Sequence, residues 1–361
     1  MLFNKNKDVI GLDIGSSSIK LVELAAGKNG YRLKHFRIMP LPPEAIVDGS
    51  IMDSGVVVDS IRELISLEEV KTKNVAISVC GHSVIVKKIK LPLMTEDELE
   101  ESIQWEAEQY IPFDISDVNL DVEILGMDEG EEDVGEMEVL LVAAKKDMIH
   151  DHTSVLEEAG LKPQIVDIDA FCIENMFEEN YSGFNEGVVV LVNIGSNITN
   201  VNVLEGGVSA FTRDISIGGS QFTEEIQKQL NVSYDEAEAL KIGGDLGAPT
   251  ETTEAVIPQE VGSIIRSVSE GIAAEIQRSL DFYSATSNEE KINKLYLMGG
   301  SSRIPGLPAV IEGKIGVPSE IVNPFNNIEI DERDFNISHI SEVAPAAAVA
   351  VGLALRKIGD S

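Results

Sequence analysis

The sequence predicts an α/β protein built from two related halves that face each other across a cleft. A short glycine hairpin near the start of the 361-residue chain recurs 180 residues later, so that Asp13 and Gly15 correspond to Asn193 and Gly195. Around both copies, β-branched strands alternate with amphipathic helices, which is typical of α/β domains. An internal repeat of this kind indicates a duplicated structural unit.

The first copy of the hairpin, VIGLDIGSSSIKLV at residues 9–22, has residue types that suit a triphosphate. Gly15 lets the backbone turn and approach a ligand closely, and Ser16–Ser18 supply short hydrogen-bond donors. Asp13 ends the first strand with a carboxylate that can hold a metal-bound water. Donors beside such an acid favour a nucleotide site, although an ordinary glycine–serine turn has the same local pattern. A strand follows the turn, whereas a helix follows the Walker loop.

The second copy, VNIGSNITNV at residues 192–201, repeats the pattern after another apolar strand. Gly195, Ser196 and Asn197 occupy its turn, and Asn193 stands where the first copy has an acid. Two such loops on opposite walls of a cleft would hold one nucleotide from both sides.

The composition excludes several classes of partner. The formal net charge of −34 argues against nucleic acid or an anionic bilayer as a direct partner. Two cysteines far apart in the sequence, Cys80 and Cys172, indicate free thiols in a reducing compartment. The apolar stretch after residue 8 is too short for a signal peptide, and the run Ala344–Leu355 is shorter than a membrane span. We therefore expect a soluble, cytoplasmic protein with no direct membrane insertion.

The remainder of the first half predicts a compact layer followed by an insert. A third strand, a helix capped by Asp53 or Ser54 and a buried strand complete the layer, at 31–39, 53–67 and 74–79. The insert begins with a strand at 83–91 and a helix at 96–110, which the capping box of Thr95 and Glu98 opens. Two strands at 119–126 and 138–144 and a second helix at 147–159 complete it. The acidic segment 128–138 between its strands is either a solvated loop or a partner contact. A strand at 164–167 and a helix through 177 lead to the second half.

The second half repeats the order of elements. Three strands are predicted at 187–193, 198–204 and 208–215, followed by a helix at 220–230 that Gly218 and Gly219 open. A helix capped by Ser233 and a long helix at 258–283 come next, then a strand at 294–298. Pro305 is placed in the first turn of a helix, and an alanine-rich helix at 344–357 ends the chain.

Two further groups on the second half are candidates for the nucleoside. Gly299, Gly300 and Ser301 follow a buried strand, where bare backbone can lie against a flat base, although a plain strand-to-helix turn has the same pattern. Glu238 and Lys241 share one helical face as either a surface ion pair or a clamp on ribose or adenine.

Trp105 is the single tryptophan and lies among acidic residues on the insert helix, opposite its apolar stripe. Packing against the parent domain is one interpretation of this position. A partner-binding anchor is the other, because exposed aromatic residues mark interfaces.

The order of these motifs resembles that of the actin, Hsp70 and FtsA superfamily. Within it, LPLM at 91–94, WEAEQYIPF at 105–113 and TRDISIGGSQFT at 212–223 resemble the PilM family of type IV pilus assembly proteins. The resemblance covers essentially the whole chain, and the insert supplies its specific part.

The resemblance implies an actin/Hsp70-like two-lobed fold with duplicated βββαβα cores. A small α+β insert would lie in the first half, at the FtsA-like 1C position, and a helical insert in the second. The implied subdomains are 1A at 1–81, 163–186 and 344–361, 1C at 82–162, 2A at 187–232 and 285–343, and 2B at 233–284.

The resemblance also implies ATP and Mg²⁺ between the lobes. Asp13 would hold the metal through water, and Glu238 and Lys241 would lie on the adenosine side. The other implied contacts are Gly15, Ser16, Ser17, Lys20, Gly195, Ser196, Asn197, Gly218, Gly219, Gly299, Gly300 and Ser301.

The implied role is a cytoplasmic scaffold, peripheral to the inner membrane, that binds the Asn-Leu-Leu-Pro-like N-terminal tail of the membrane protein PilN. That tail would lie between the first subdomain and the insert, and the scaffold would link it to the pilus motor and twitching motility. Other platform proteins and self-association are further expected partners. Weak or no ATPase activity is expected, because Asn193 stands where hydrolysing relatives have an acid, and an amide carries no charge and is no general base. An FtsA-like membrane-associated filament is the alternative, and a sugar or acetate kinase is a third hypothesis.

Overall fold

A computed structural model describes residues 9–27, 30–128, 135–182, 187–243, 259–287 and 291–359. Within these ranges the strands are β1 (Ile10–Ile14), β2 (Ser18–Ala26), β3 (Tyr31–Pro40), β4 (Ile46–Val47), β5 (Ser50–Ile51), β6 (Asn74–Val79), β7 (Val84–Pro92), β8 (Val118–Asp128), β9 (Glu136–Lys145), β10 (Lys162–Ile168), β11 (Val188–Ile194), β12 (Thr199–Glu205), β13 (Val208–Ile215), β14 (Ile292–Met298), β15 (Ser319–Ile321) and β16 (Ile328–Glu329).

The helices in the same ranges are α1 (Ser54–Leu67), α2 (Glu96–Ala107), α3 (Lys146–Glu158), α4 (Asp169–Asn180), α5 (Ser220–Leu230), α6 (Tyr234–Lys241), α7 (Gln259–Thr286), α8 (Leu307–Ile315), α9 (Ile337–Val343) and α10 (Ala348–Leu355). Short 3₁₀ turns occur at Ile115–Asp117, Gly300–Arg303 and Ala344–Ala347.

The two main sheets share one arrangement around their first strands. In the first lobe the order is β10-β6-β1-β2-β3-β16, with β1, β2 and β3 antiparallel and β6 parallel to β1. In the second lobe the order is β13-β12-β11-β14-β15, with β11, β12 and β13 antiparallel and β14 parallel to β11. The predicted two-lobed α/β fold is therefore confirmed.

Helices α4 and α10 form the core between the sheets, in a cluster that includes buried residues of both lobes. Close backbone contact requires glycine here, because a Cβ on Gly352 would overlap the carbonyl of Cys172, and one on Gly11 would overlap the carbonyl of Ala350. By length and composition alone, the stretch Ile337–Leu355 could cross a membrane, but 61% of its apolar window is buried inside the fold.

The insert forms a separate layer. Its sheet has the order β7-β9-β8, and Leu99, Ile103 and Ala107 of α2 pack in its core as the predicted apolar stripe. The capping box of Thr95 and Glu98 is present at the start of α2. The four subdomain borders remain a prediction.

Some predicted boundaries differ from the structure. Helix α2 ends at Ala107 rather than residue 110, and the backbone N–H of Tyr110 bonds to the carbonyl three residues before it, that of Ala107, as in a tight turn. Pro305 lies in the turn before α8, whereas Pro308 occupies the first turn of that helix.

The final helix is also shorter than predicted, since a 3₁₀ turn containing Pro345 precedes α10, which ends at Leu355. Strands β8 and β9 extend into the predicted acidic loop and shorten it, and residues 129–134 of that loop lie outside the described ranges. The predicted helix start at residue 258 also lies outside these ranges.

Candidate functional site

The two glycine turns have the same backbone hydrogen bond. In the first turn the Gly15 N–H donates to the Ser18 carbonyl at 3.1 Å, and in the second the Gly195 N–H donates to the Ile198 carbonyl at 2.9 Å. The hairpin strands on each side force this geometry, since β1 pairs with β2 and β11 pairs with β12 in antiparallel register. The sequence repeat thus corresponds to a repeated loop shape.

Both turns line one cleft between the lobes. Ten predicted site residues lie on its walls: Asp13, Gly15, Ser16, Ser17, Lys20, Gly195, Ser196, Asn197, Gly299 and Gly300. They come from both halves of the chain, as the repeat predicted.

Asp13 and Lys20 form an ion pair at the first turn. They are cross-strand neighbours in the hairpin, and Lys20 Nζ lies 3.1 Å from Asp13 Oδ2. Both side chains are largely buried, at 14% exposure each, so water screens this pair less than a surface pair. The cleft therefore presents a cation and an acid side by side.

Three predicted residues, Gly218, Gly219 and Ser301, lie behind the second turn instead of on the cleft wall. The Gly219 N–H and the Ser301 hydroxyl both donate to the Gly195 carbonyl at 2.9 Å. A Cβ on Gly218 would overlap the Ser196 carbonyl. These residues hold the loop in shape.

Glu238 and Lys241 form an ion pair next to this support, outside the cleft wall. Lys241 Nζ lies 2.6 Å from Glu238 Oε1 and 3.0 Å from Thr223 Oγ1, and it faces the Gly219 carbonyl. The Lys241 side chain is 11% exposed and the Glu238 side chain is 34% exposed, so the pair is buried at its lysine end and reaches the surface at its glutamate end.

Asp169 also lines the cleft, and the sequence reasoning missed it. It opens α4, directly after β10, and accepts a hydrogen bond from Ser78 Oγ at 2.6 Å. Burial, with the negative charge of Asp13 nearby, raises the pKa of Asp169 to about 7. An acid at the carboxyl end of a strand was the available signal, since Asp13 has the same placement.

Two further groups on the cleft wall are neutral near pH 7. Burial, followed by the charge of Asp169, raises the pKa of the Cys80 thiol, so this thiol stays protonated. Burial lowers the pKa of His152, whose Nδ1 lies 2.9 Å from the Met148 carbonyl. Neither group supplies charge to a ligand.

A row of polar side chains crosses the second sheet beside the second turn. The strand register sets Asn193 opposite Asn200, and Asn200 opposite Asp214. Asn193 Nδ2 donates to Asn200 Oδ1 at 2.8 Å, and Asn200 Nδ2 donates to Asp214 Oδ1 at 2.7 Å. The backbone N–H of Gly81, from the first lobe, donates to the other oxygen of Asp214 at 2.5 Å. This row links the cleft to the chain segment that enters the insert.

Trp105 lies on the insert, away from the cleft, and is 73% exposed. The interpretation as packing against the parent domain is therefore wrong. An aromatic side chain of this size is left available for a contact outside the chain.

Comparison with protein-family models matches residues 11–358 to type IV pilus assembly protein PilM. Among solved structures, the "PilM-PilN type IV pilus biogenesis complex" is 29% identical with a TM-score of 0.84, covering 97% of this chain and 98% of that one. MreB 5 of Spiroplasma citri bound to AMPPNP is 12% identical with a TM-score of 0.51, covering 96% of this chain and 95% of that one.

Cell division protein FtsA is a more distant relative in two organisms. The Enterococcus hirae protein is 24% identical over 94% of this chain and 85% of its own length. The Bacillus subtilis (strain 168) protein is also 24% identical, over 66% of this chain, and the match spans only 58% of its own length.

Proposed function

Because the chain belongs to the type IV pilus assembly protein PilM family, we propose that it is an ATP-binding scaffold of the pilus assembly platform. The observation that carries this proposal is the pair of identically hydrogen-bonded turns on opposite walls of one cleft. Turns of this kind point backbone N–H groups at a bound anion. The solved MreB 5 relative with the same fold is bound to AMPPNP, which supports a nucleotide as the ligand.

The phosphates would lie between the turns at Gly15–Ser17 and Gly195–Asn197. Lys20, already paired with Asp13, would contact them as its second anionic partner, and Gly299 and Gly300 would face the nucleoside. Lys241, Glu238, Gly218, Gly219 and Ser301 would act by holding the second loop and its neighbouring helices.

The cleft residues also suit Mg²⁺ that arrives with the nucleotide. Within the described part of the chain, no group of three or more His, Cys, Asp or Glu side chains is arranged to hold a metal alone. Mg²⁺ needs no such cage, since one or two carboxylates, several waters and the nucleotide phosphates usually hold it. Asp13 and Asp169 both line the cleft and meet that description. When bound, the ion would neutralise part of the phosphate charge.

Hydrolysis would be slow or absent. Asn193 supplies no negative charge to a metal and cannot act as a general base. The expected result in a phosphate-release assay with Mg²⁺ is a rate close to that of the protein-free control.

The partner we propose is the cytoplasmic N-terminal tail of PilN. The solved structural relative is a complex of PilM with PilN, and the 29% identity over almost the whole length supports a similar partner here. The tail would lie between the first lobe and the insert, in the cytoplasm at the inner membrane, and connect the protein with the pilus motor. This match also favours the pilus role over an FtsA-like filament, whose relatives are 24% identical.

A binding experiment separates the two parts of the proposal. A labelled PilN tail peptide is titrated into the protein with and without ATP and Mg²⁺, beside a scrambled peptide of the same composition. Saturable binding of the native peptide alone is expected. Absence of binding in both conditions would contradict the scaffold role, and a separate titration with a fluorescent ATP analogue tests the nucleotide site.

A further inference from the structure

The hydrogen bonds along the row of Asn193, Asn200 and Asp214 run in one donor-to-acceptor direction. The contacts of Asp214 fix this direction. A carboxylate can only accept hydrogen bonds, whereas a side-chain amide has an accepting oxygen and a donating NH₂ group. The backbone N–H of Gly81 can only donate, and it points to Asp214 Oδ2. Asp214 therefore serves as an acceptor on both sides.

This end fixes the orientation of both amides. Asn200 must turn its NH₂ group to Asp214, which leaves its oxygen facing Asn193. Asn193 must in turn direct its NH₂ group to Asn200. Both asparagines are buried, at 7% exposure for Asn193 and 2% for Asn200, so reversing one amide alone would leave buried groups unpaired.

The oxygen of Asn193 is consequently left for the cleft. Asn193 Oδ1 faces Gly299, where an added Cβ would lie 2.6 Å from it, and both residues line the cleft. Among the side-chain hydrogen bonds of the described residues, Asn193 takes part in the one that its Nδ2 donates to Asn200, and its Oδ1 takes part in none. The position that has an acid in the first hairpin thus presents an accepting oxygen in the second, without charge.

We propose that Asp214 is a positioning residue that makes Asn193 a hydrogen-bond acceptor toward the water shell of nucleotide-borne Mg²⁺. This inference rests on the proposed function, in which Mg²⁺ and ATP occupy the cleft. Metal-bound water donates hydrogen bonds and is attracted to the Asn193 oxygen, whereas a phosphate oxygen is repelled by it. Asp214 thereby increases the gain in nucleotide affinity that Mg²⁺ provides.

The substitution Asp214→Asn reverses the row without breaking it. Residue 214 would turn its oxygen to the Gly81 N–H and its NH₂ group to Asn200. Asn200 would then present its NH₂ group to Asn193, and Asn193 would turn its own NH₂ group to the cleft. The number of hydrogen bonds stays the same, and only the polarity toward the ligand changes.

The double substitution Asn193→Asp with Asp214→Asn restores an acceptor in this reversed row. The carboxylate at 193 would accept from Asn200, whose oxygen would accept from the new amide at 214. If Asp214 served only the stability of the fold, Asn193→Asp would not compensate for the effect of Asp214→Asn on the ligand.

The test measures the dissociation constant of a fluorescent ATP analogue in Mg²⁺ and in EDTA, and takes the ratio of the EDTA value to the Mg²⁺ value. We expect Asp214→Asn to lower this ratio about three- to tenfold, the range for one hydrogen bond. Asn193→Ala, which removes the oxygen and leaves Asp214 in place, should lower it similarly. The double variant should return the ratio to the wild-type value or above. Asp59→Asn, which changes an aspartate with an 81% exposed side chain, is the matched control and should leave it unchanged.

The outcomes separate the two proposals. A wild-type ratio in Asp214→Asn, or a double variant that stays as low as the single one, overturns the inference while nucleotide binding stands. Wild-type protein that binds the analogue in neither condition overturns the proposed function and the inference with it. Thermal melting of each variant without ligand checks the fold. If Asp214→Asn does not fold, the inference is tested by comparing the ratio of Asn193→Ala with that of the double variant.

Discussion

Lys20 Nζ lies 3.1 Å from Asp13 Oδ2 across the first hairpin, so the cation that would meet an incoming phosphate is already positioned by an acid. The pair also holds the two strands in register at the turn. Asp13 would therefore have two tasks, one toward Lys20 and one toward a metal-bound water.

The substitution Asp13→Ala should weaken binding of a fluorescent ATP analogue in the presence of Mg²⁺ by tenfold or more, about 1.4 kcal/mol. The reason is the loss of the acid that would hold the metal-bound water. Titration by fluorescence anisotropy measures the effect. Asp59→Ala, which removes an acid with an 81% exposed side chain, is the matched control. Equal affinity of Asp13→Ala and wild type would refute the placement of the metal.

Trp105→Ala should weaken binding of the PilN tail peptide by about 2 kcal/mol, roughly 30-fold, without changing the melting temperature. The size follows from the loss of a large aromatic anchor at an interface. Phe282→Ala removes another exposed aromatic residue, 59% exposed on α7 of the second lobe, and should have no effect. Fluorescence polarisation of a labelled peptide measures both, and unchanged affinity of Trp105→Ala would remove this residue from the partner surface.

Glu174→Gln should flatten the pH dependence of stability between about pH 4.5 and 7. Burial raises the pKa of Glu174 to about 7, opposed by the hydrogen bond from Asn202, while Glu178 and Glu123 add negative charge. The folded protein then binds more protons than the unfolded chain in this window, so the free energy of unfolding falls as the pH rises, by about 3 kcal/mol at most.

Urea unfolding at pH 5 and pH 7.5 checks this prediction, with Glu260→Gln, an exposed residue in the first turn of α7, as control. The same difference between the two pH values in Glu174→Gln and wild type would contradict it.

Gly352→Ala should lower the free energy of unfolding by about 3 kcal/mol, at the upper end of the range for overpacking a core. The new methyl group would overlap the Cys172 carbonyl, which is backbone and cannot rotate away. Gly271→Ala on α7 is the matched control, because nothing lies within 4 Å of its added Cβ. It should be neutral or stabilise the helix by up to about 1 kcal/mol. Chemical denaturation measures both, and similar stabilities would contradict the close packing of α10 on α4.

The parts of the site that sequence alone could predict are those whose geometry is local. Gly15 and Gly195 were identified because a hairpin turn is specified by a few adjacent residues, and the spacing between the copies is visible without a structure. Thr95 and Glu98 predicted a helix start for the same reason.

Asp169 and Asp214 could not be placed in this way. Asp169 reaches the cleft only because β10 lies beside β6, which lies beside β1, and this strand order is not encoded near residue 169. Asp214 acts through Asn200, and that contact depends on the exact register of three strands. Trp105 had two local interpretations, and only the packing of α2 decided between them.

The shared hydrogen bond of the two turns has a practical consequence. Main-chain atoms hold each turn in shape, and the side chains at Ser16, Ser17, Ser196 and Asn197 take no part in the bond that closes it. A library randomised at these four positions would therefore vary the chemistry offered to a ligand while keeping the backbone cradle intact. Selection from such a library could redirect the protein to other phosphorylated or sulfated small molecules.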